Sequence, residues 1–253
     1  MSDLCRFLDA LTQAQSAEAL WQLHCEKMAE YGFDRIIYGF SHFMSETSMG
    51  DPQDFILLTN HEPEYFKIFI GSDLYRDAPM VRWSLNNDGA CSWRYLWDEM
   101  GRGTLTEREK QVIAINQEHG VTAGYTISFR AITSRSKGAV ALTARKGLDQ
   151  AEADAIWDEH GNDIVLMNNV AHLKIVTLPH QTQGRSLTKR QREALEWVGD
   201  GKTTQDIALL MGLTTATVEK HLRLARGVLG VETTAQAVLK ASFQNQMFIV
   251  DGI

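Results

Sequence analysis

The chain has 253 residues, of which 44% are hydrophobic and 23% charged, as expected for a globular protein with one or two buried cores. No run of 18 uncharged apolar residues occurs, and the N-terminal segment lacks the basic start and cleavage site of a secretory signal. We therefore expect a cytoplasmic protein without membrane contact. Cys5, Cys25 and Cys91 are widely spaced, which argues against a disulfide framework or a zinc finger and predicts no metal site.

The net charge of −7 is unevenly distributed. From Arg185 onward the chain has nine basic and seven acidic residues, a formal charge of +2, and the preceding residues therefore carry −9. A mildly basic C-terminal part attached to an acidic body favours a DNA-binding module joined to a domain that does not touch DNA.

The first two thirds of the chain mix helical and strand patterns. Apolar residues at helical spacing predict two helices within residues 4–11 and 20–28. Pro63 and the capping boxes Thr106-x-x-Glu109 and Asp149-x-x-Glu152 predict three later helix starts. Four β-rich runs are predicted as strands, with a hairpin turn at 134–138: Arg35–Phe40, Asp54–Thr59, Tyr125–Phe129 and Gly138–Thr143. This order predicts an α+β fold in which helices sandwich an antiparallel sheet, an αβα arrangement.

A polar stretch at 177–186, which contains Pro179 and Gly184, predicts a linker between domains at 1–176 and 187–253. Beyond it the pattern is purely helical, with Gly212-Leu213 as a tight turn between the second and third helices. Threonines are predicted to cap all four helices: Thr188, Thr203 or Thr204, Thr214 and Thr233. Four short helices with such a turn predict an all-α helix-turn-helix domain.

The third of these helices is predicted to enter the major groove of double-stranded DNA. One face carries apolar residues that must pack inward: Val218, Leu222, Ala225 and Leu229. Lysine and arginine on the opposite face reach phosphates or guanine edges, and threonines near the helix start donate to phosphates. The predicted DNA contacts are Thr215, Thr217, Glu219, Lys220, Arg223 and Arg226. A merely solvated charged face is the alternative, and the preceding turn favours DNA contact.

The motifs of this region resemble the DNA-binding domain of LuxR-type regulators. They are Leu187-Thr-Lys-Arg-Gln-Arg-Glu-Ala-Leu195, Gly201-Lys202, Ile207-Ala208, Thr217-Val218-x-x-His221-Leu222, Leu229-Gly230-Val231 and Gln236-Ala237-Val238. The resemblance implies that Lys220 and Arg223, with Glu219, contact bases and phosphates. Gln191, Val228 and Thr234 replace the family's usual Glu, Lys and Arg, and the last two changes would weaken phosphate binding. Because one recognition helix buries little surface, we expect a homodimer on an inverted-repeat operator.

The element order upstream resembles the autoinducer-binding domain of the same family, an αβα sandwich that takes N-acyl-homoserine lactones. When the family's motif is aligned on Pro79, its first Trp and its Tyr correspond to Tyr65 and Phe69. Its Asp corresponds to Ala78 and its later Trp to Trp93. Gly124 corresponds to a glycine of the family. The resemblance implies a quorum-sensing regulator whose small-molecule effector contacts Tyr65, Phe69 and Trp93. Asp77 is a candidate for the role of the missing Asp, and His61 is a further candidate. No cofactor is expected.

Alternatives remain at this point. Ala78 cannot accept a hydrogen bond from an acyl amide, so a variant lactone, another small amphiphile or a ligand-independent dimerisation domain is possible. The aromatic residues Tyr65, Phe69, Trp83, Trp93 and Tyr95 can also be read as plain core packing. A phosphorylated receiver domain would need a parallel sheet, which the predicted hairpin opposes.

No enzyme signature is found in the sequence. Cys91 has no nucleophile motif around it, and Ala-Cys-Ser-Trp is interpreted as the edge of a strand. Gly101-Arg-Gly103 lacks the third glycine of a dinucleotide loop. The sequence therefore predicts a protein that is not an enzyme.

Overall fold

The computed structural model describes residues 2–45, 48–131, 133–179 and 186–249. They divide into two compact units. The first comprises the residues up to Ala14 together with Glu18–Val176, and the second comprises Gln15–Ala17 and the residues from Thr177 onward. The predicted linker at 177–186 includes residues 180–185, which lie outside the described residues.

The described part of the first unit contains seven α-helices. They are α1 (Asp3–Gln13), α2 (Ala17–Glu30), α3 (Pro63–Phe69), α4 (Pro79–Asn86), α5 (Arg94–Arg102), α6 (Glu107–Glu118) and α7 (Gln150–Ile175). Pro63 is the first residue of α3, where a missing N–H costs nothing. Both predicted capping boxes form, with Thr106 and Glu109 at the start of α6 and Asp149 and Glu152 at the start of α7. These helix starts are therefore encoded by four-residue signals, as predicted.

The strands of the first unit form one antiparallel sheet in the order β2-β1-β5-β4-β3. They are β1 (Phe33–Ser41), β2 (Ile56–Thr59), β3 (Gly89–Ser92), β4 (Gly124–Phe129) and β5 (Lys137–Ala144). The predicted α+β fold with a helix-flanked antiparallel sheet is confirmed. β3 is not among the four predicted strands, because a four-residue edge strand is too short to show alternation. It does contain Ala-Cys-Ser of the Ala-Cys-Ser-Trp segment that was interpreted as the edge of a strand. The strand predicted at 54–59 begins at Ile56 because Pro52–Asp54 forms a 3-10 turn.

Alternation along the strands gives the sheet two different faces. One face carries large rings that pack on α7: Tyr125 stacks on Trp157 with 3.8 Å between ring centroids, and Phe129 stacks on His172 at 4.1 Å. Tyr38, on the same face of β1, donates to or accepts from His172 Nδ1 at 2.8 Å. The opposite face carries smaller residues and lies against α3, α4 and α6. The bulky face is therefore filled, and the small-residue face leaves space.

The second unit is entirely helical within its described residues, with α8 (Lys189–Gly199), α9 (Thr204–Met211), α10 (Thr215–Leu229) and α11 (Thr234–Phe243). The side chains of Thr188, Thr203, Thr214 and Thr233 each accept from the backbone N–H three residues later, which confirms the predicted caps and selects Thr203 over Thr204. Gly212 ends α9 in the left-handed conformation, φ 65°, which a side chain would strain. This glycine makes the sharp turn between α9 and α10.

The core of the second unit is built by residues of all four helices. The predicted inner face of α10 is buried, with Val218, Leu222, Ala225 and Leu229 at most 6% exposed. They pack with Leu195 of α8, Ile207 of α9 and Ala237 of α11, among others. α10 is therefore fixed by its apolar face and presents its other side outward.

Among the described helices, none combines the length and apolar content needed to cross a membrane. Across the same residues, no three His, Cys, Asp or Glu side chains are grouped so that they could hold a metal ion.

Candidate functional site

A cavity of about 180 Å³ lies in the first unit, between the small-residue face of the sheet and helices α3 to α6. Gly39 of β1 and Ala139 and Ala141 of β5 form part of its floor. These positions alternate with the large residues Tyr38, Val140 and Leu142 of the opposite face. The cavity exists because short side chains on one face leave room that the helices above do not fill. This pattern of small residues was the sequence signal that our prediction did not use.

Four of the five predicted ligand contacts line this cavity: His61, Tyr65, Phe69 and Trp93. Asp77 is not among the lining residues, since its carboxylate lies 4.0 Å from Arg108 and its side chain is 39% exposed. Ala78, the next residue, lines the cavity instead and is 5% exposed. The geometry therefore gives Asp77 no contact with the cavity.

Polar side chains gather at one end of the cavity. The Tyr65 hydroxyl donates to Asn116 Oδ1 at 2.9 Å, and the His61 ring lies 4.9 Å from the Tyr65 ring. His61 Nε2 is 3.4 Å from the Thr143 hydroxyl. Asn116 and Thr143 were not predicted from the sequence, because they come from α6 and β5 and only the fold brings them to α3. This polar end comprises His61, Tyr65, Asn116 and Thr143.

The polar end is uncharged at neutral pH. Burial, aided by the positive charge of Arg35, lowers the pKa of His61 to about 4. Burial also raises the pKa of Tyr65. Among the described residues lining the cavity there is no aspartate or glutamate, and Lys137 is bound to Asp88 and to the Asn87 carbonyl. The cavity therefore presents a cluster of neutral polar groups at one end and mostly apolar residues elsewhere.

Trp93 is held from three directions. Its indole Nε1 donates to the Thr126 hydroxyl at 2.9 Å, and its backbone N–H donates to the Gly124 carbonyl at 3.0 Å. The flanking Ser92 and Arg94 side chains both donate to Asp154 of α7. Burial alone would raise the pKa of Asp154, but hydrogen bonds from Gln150, Arg94, Ser92 and Tyr125 outweigh it and lower the pKa to about 2. This network fixes the Trp93 wall of the cavity.

The second candidate site is the outer side of α10. Glu219, Lys220 and Arg223 are exposed there, and Thr215 is exposed at the start of the helix. Thr217 is half-buried, with its hydroxyl 2.9 Å from that of the capping Thr214. Arg226 is half-buried as well. The helix therefore presents both cations of the predicted Lys220–Arg223 pair to solvent, one turn apart.

Arg226 differs from the rest of the predicted set because its guanidinium is directed to α11. It donates to the Thr234 hydroxyl at 2.9 Å. This contact links the C-terminal end of α10 to the first residue of α11.

Each of the two units matches a known protein family. The autoinducer binding domain family matches residues 16–175, and the luxR family of bacterial regulatory proteins matches residues 185–241. The chain belongs to the LuxR-type quorum-sensing regulators. It is thus a transcription regulator with an autoinducer-binding domain and a helix-turn-helix domain, as the sequence motifs indicated.

Individual relatives of this LuxR-type chain are distant in sequence. The transcriptional activator protein CarR of Pectobacterium carotovorum subsp. carotovorum is 22% identical over 213 residues, which cover 80% of this chain and 83% of CarR. A structure of SdiA in complex with octanoyl-rac-glycerol has 15% identity and a TM-score of 0.53, with 99% of each chain covered. The N-acylhomoserine lactone dependent factor CepR2 of Burkholderia cenocepacia has 17% identity and a TM-score of 0.52, with 68% of this chain and 93% of CepR2 covered. These structural likenesses confirm the fold.

The LuxR-type assignment decides between the function classes left open by the sequence. Transcription regulators of this family are not enzymes. Burial raises the pKa of the Cys91 thiol to about 11, which disfavours the thiolate that a nucleophile needs. The antiparallel sheet rules out the parallel fold of a receiver domain.

We predict that the ligand-binding unit of this LuxR-type protein loses stability as the pH falls from about 6.5 to 4. The pKa values of His24, His61 and His172 are each lowered to about 4, mainly because the three rings are buried. Their pKa in the unfolded chain is near 6.5, so below that pH the unfolded state binds protons first and gains stability relative to the folded state. The loss is on the order of 1–3 kcal/mol per histidine by pH 4.

Urea unfolding monitored at several pH values measures this effect. A matched variant replaces His24 and His172 with glutamine, which keeps a polar partner for Asn168 and Tyr38 but does not titrate. Its free energy of unfolding should depend less steeply on pH between 6 and 4.5. If the free energy of unfolding depended on pH equally in both proteins, His24 and His172 would not be the cause of the pH dependence.

Proposed function

We propose that this regulator binds an acyl-chain amphiphile, an N-acyl-homoserine lactone or a related compound, in the cavity of its first unit, and then binds an inverted-repeat operator as a homodimer. The observation that carries the proposal is the cavity itself. Its lining is mainly apolar, and the neutral side chains of the polar end lie together within it, the arrangement expected for an amphiphilic ligand. His61, Tyr65, Phe69 and Trp93 are the proposed ligand contacts.

Two structural neighbours support an acyl amphiphile as the ligand class. CepR2 is described as dependent on an N-acylhomoserine lactone, and SdiA was solved with octanoyl-rac-glycerol. Both compounds join an acyl chain to a small polar head. A cavity with polar groups at one end and small residues along its floor is suited to the same general shape.

The DNA-binding part of the proposal is supported by α10. Lys220 and Arg223 are exposed on the side opposite to its buried apolar face, and Thr215 lies near the helix start, where its hydroxyl can reach a phosphate. We propose Thr215, Thr217, Glu219, Lys220 and Arg223 as contacts to DNA, with Arg226 acting through its bond to Thr234.

The homodimer is supported by unpartnered apolar residues. Leu166 and Leu173 lie seven residues apart on α7 and are 44% and 58% exposed, whereas other residues of the helix, such as Ile164 and Met167, are buried. Seven residues are close to two helical turns, so the two leucines share one face. A second copy of α7 is the proposed cover for this face. Dimerisation would also provide the second recognition helix that a specific operator needs.

The experiment expresses the chain with and without N-acyl-homoserine lactones of different chain lengths and identifies bound compounds by mass spectrometry. A ligand that binds only the folded state should stabilise it by about 2.7 kcal/mol at a hundredfold excess over its Kd. Band-shift assays on DNA selected in vitro should show ligand-dependent binding, which is lost when one half-site is scrambled. Equal stability and equal DNA binding without any ligand would identify the first unit as a ligand-independent dimerisation domain.

A further inference from the structure

The cavity runs along β5 from its polar end toward the other end of the strand. Alternate residues of β5 all line it: Lys137, Ala139, Ala141 and Thr143. Thr143 belongs to the polar end, and Lys137 lies six residues before it on the strand. Because a strand rises 3.2–3.4 Å per residue, these two residues are about 20 Å apart. An acyl chain whose head is bound at the polar end therefore extends along β5 toward Lys137.

The end of β5 at Lys137 is unsuited to an apolar chain. Lys137 donates to Asp88 Oδ1 at 2.6 Å and to the Asn87 carbonyl at 3.0 Å. A chain packed against this ion pair would remove water from it and offer no hydrogen bond in return. The chain therefore gains more from the helices beside β5 than from the end of the strand.

Two lining residues on those helices reach solvent. Leu85 of α4 is 36% exposed and Trp97 of α5 is 41% exposed, whereas His61 and Tyr65 at the polar end are 8% and 3% exposed. A side chain that lines a cavity and is also exposed marks an opening to the outside. Met100, three residues after Trp97 and therefore beside it on the surface of α5, is 38% exposed. We call Leu85, Trp97 and Met100 the apolar rim.

Leu85 is remote from the polar end. The carbonyl of the preceding residue, Ser84, accepts from the Ser128 hydroxyl at 2.7 Å, and Ser128 pairs with Ala139 in the sheet. Ala139 is four residues from Thr143 on β5, or about 13 Å. Leu85 therefore lies along the path that an acyl chain would follow.

The helices α4 and α5 are neighbours at the rim. Arg82 of α4 and Glu99 of α5 are joined by an ion pair of 3.6 Å. Leu85 follows Arg82 by three residues and Trp97 precedes Glu99 by two, so both lie within one helical turn of this pair. The opening therefore lies between α4 and α5.

The volume of the cavity is small for an acylated ligand. An apolar cavity of about 150 Å³ holds one benzene ring, and pockets that bury most of a drug-sized ligand have roughly 300–1,000 Å³. The 180 Å³ available here can hold a head group and the first carbons of a chain. The remaining carbons of a longer chain need space that only the opening provides.

We infer that the ligand binds with its head enclosed and with the end of its acyl chain outside the cavity, on the apolar rim between α4 and α5. This inference rests on the proposed function, because it specifies how a ligand occupies the same cavity. The receptor then sets no upper limit on chain length and accepts a group attached to the end of the chain.

The first test is a series of N-acyl-homoserine lactones with 6 to 14 acyl carbons, titrated by calorimetry into the full chain. Each enclosed CH2 group should lower Kd by up to about fourfold. Beyond the length that reaches the rim, Kd should level off and binding should persist to the longest chain. A length above which binding is lost would show a closed cavity and overturn the inference.

The second test compares N-dodecanoyl-homoserine lactone with the same compound carrying a dansylamino group on its terminal carbon. The two Kd values should agree within about tenfold, and the bound dansyl group should still be quenched by iodide ions in solution. A closed cavity would clash with this group and weaken binding by more than about 100-fold. That result, or protection of the dansyl group from iodide, would overturn the inference while the proposed function stands. If no lactone of the series binds, the proposed ligand class fails and the inference falls with it.

Trp97→Gln removes the largest apolar side chain of the rim. It should weaken binding of the tetradecanoyl lactone at least about fivefold and leave the Kd of the hexanoyl lactone unchanged, because only the long chain reaches the rim. Trp83→Gln is the matched control, since Trp83 of α4 is not among the lining residues and should alter neither value. Equal losses for the short and long lactones in the Trp97 variant, or none for either, would overturn the role of the rim.

Discussion

The double variant Lys220→Ala/Arg223→Ala is expected to lose sequence-specific DNA binding by at least about 100-fold. Each good side-chain contact to a base edge contributes roughly 1–3 kcal/mol, and 1.4 kcal/mol corresponds to a factor of ten in Kd. Both cations are exposed and lie opposite the buried face of α10. Their removal should therefore leave the helical unit folded, as circular dichroism and thermal unfolding would show.

A control variant removes the same charge elsewhere. Arg145 and Lys146 are exposed at the end of β5, in the first unit, and their double alanine variant should retain specific binding. The measurement is a band-shift titration at fixed salt, because counterion release makes any protein–DNA affinity depend on salt. Retention of specific binding by the Lys220/Arg223 variant would show that α10 is not the recognition helix.

Gly124→Ala should unfold or severely destabilise the first unit, by at least about 4 kcal/mol. A Cβ at this position would lie 2.1 Å from the Leu142 carbonyl oxygen of the neighbouring strand β5. The obstacle is backbone within the central part of the sheet, so it cannot rotate away as a side chain could. Gly124 also bonds Gln150 and Trp93 through its backbone, so ligand binding should be lost with the fold.

Urea unfolding of the variant measures this loss, with Gly101→Ala as the matched control. Gly101 lies in α5, where an added Cβ meets nothing within 4 Å. Alanine there should be neutral or stabilise the protein by up to about 1 kcal/mol, since it favours helix. If Gly124→Ala changed the free energy of unfolding as little as Gly101→Ala, then β4 and β5 would be able to move apart and accommodate the added Cβ.

The features that the sequence predicted well are local ones. A threonine or aspartate cap acts on the backbone N–H three residues later, so Thr106, Asp149 and Thr188 identify their helices without any knowledge of the fold. The buried face of α10 likewise follows from a spacing of three and four residues within one helix.

The features that it missed depend on contacts between distant segments. Asn116 joins Tyr65 across 51 residues, and Arg226 turns to Thr234 because α11 packs beside α10. The candidate role of Asp77 relied on an alignment, which cannot show that its carboxylate lies toward Arg108. Side-chain direction at the end of a 3-10 turn is a tertiary property.

The pairing order of the sheet also has a consequence for the chain while it is being made. β1 pairs early with β2 on one edge, but its other edge pairs with β5, which follows β2 by roughly 80 residues. At a synthesis rate of about 5–20 residues per second, that edge stays open for about 4–16 s on the ribosome. An apolar strand with an open edge invites wrong pairings. The time during which the open edge of β1 can mispair is therefore set by the number of residues between β2 and β5. The stability of the finished fold does not change it.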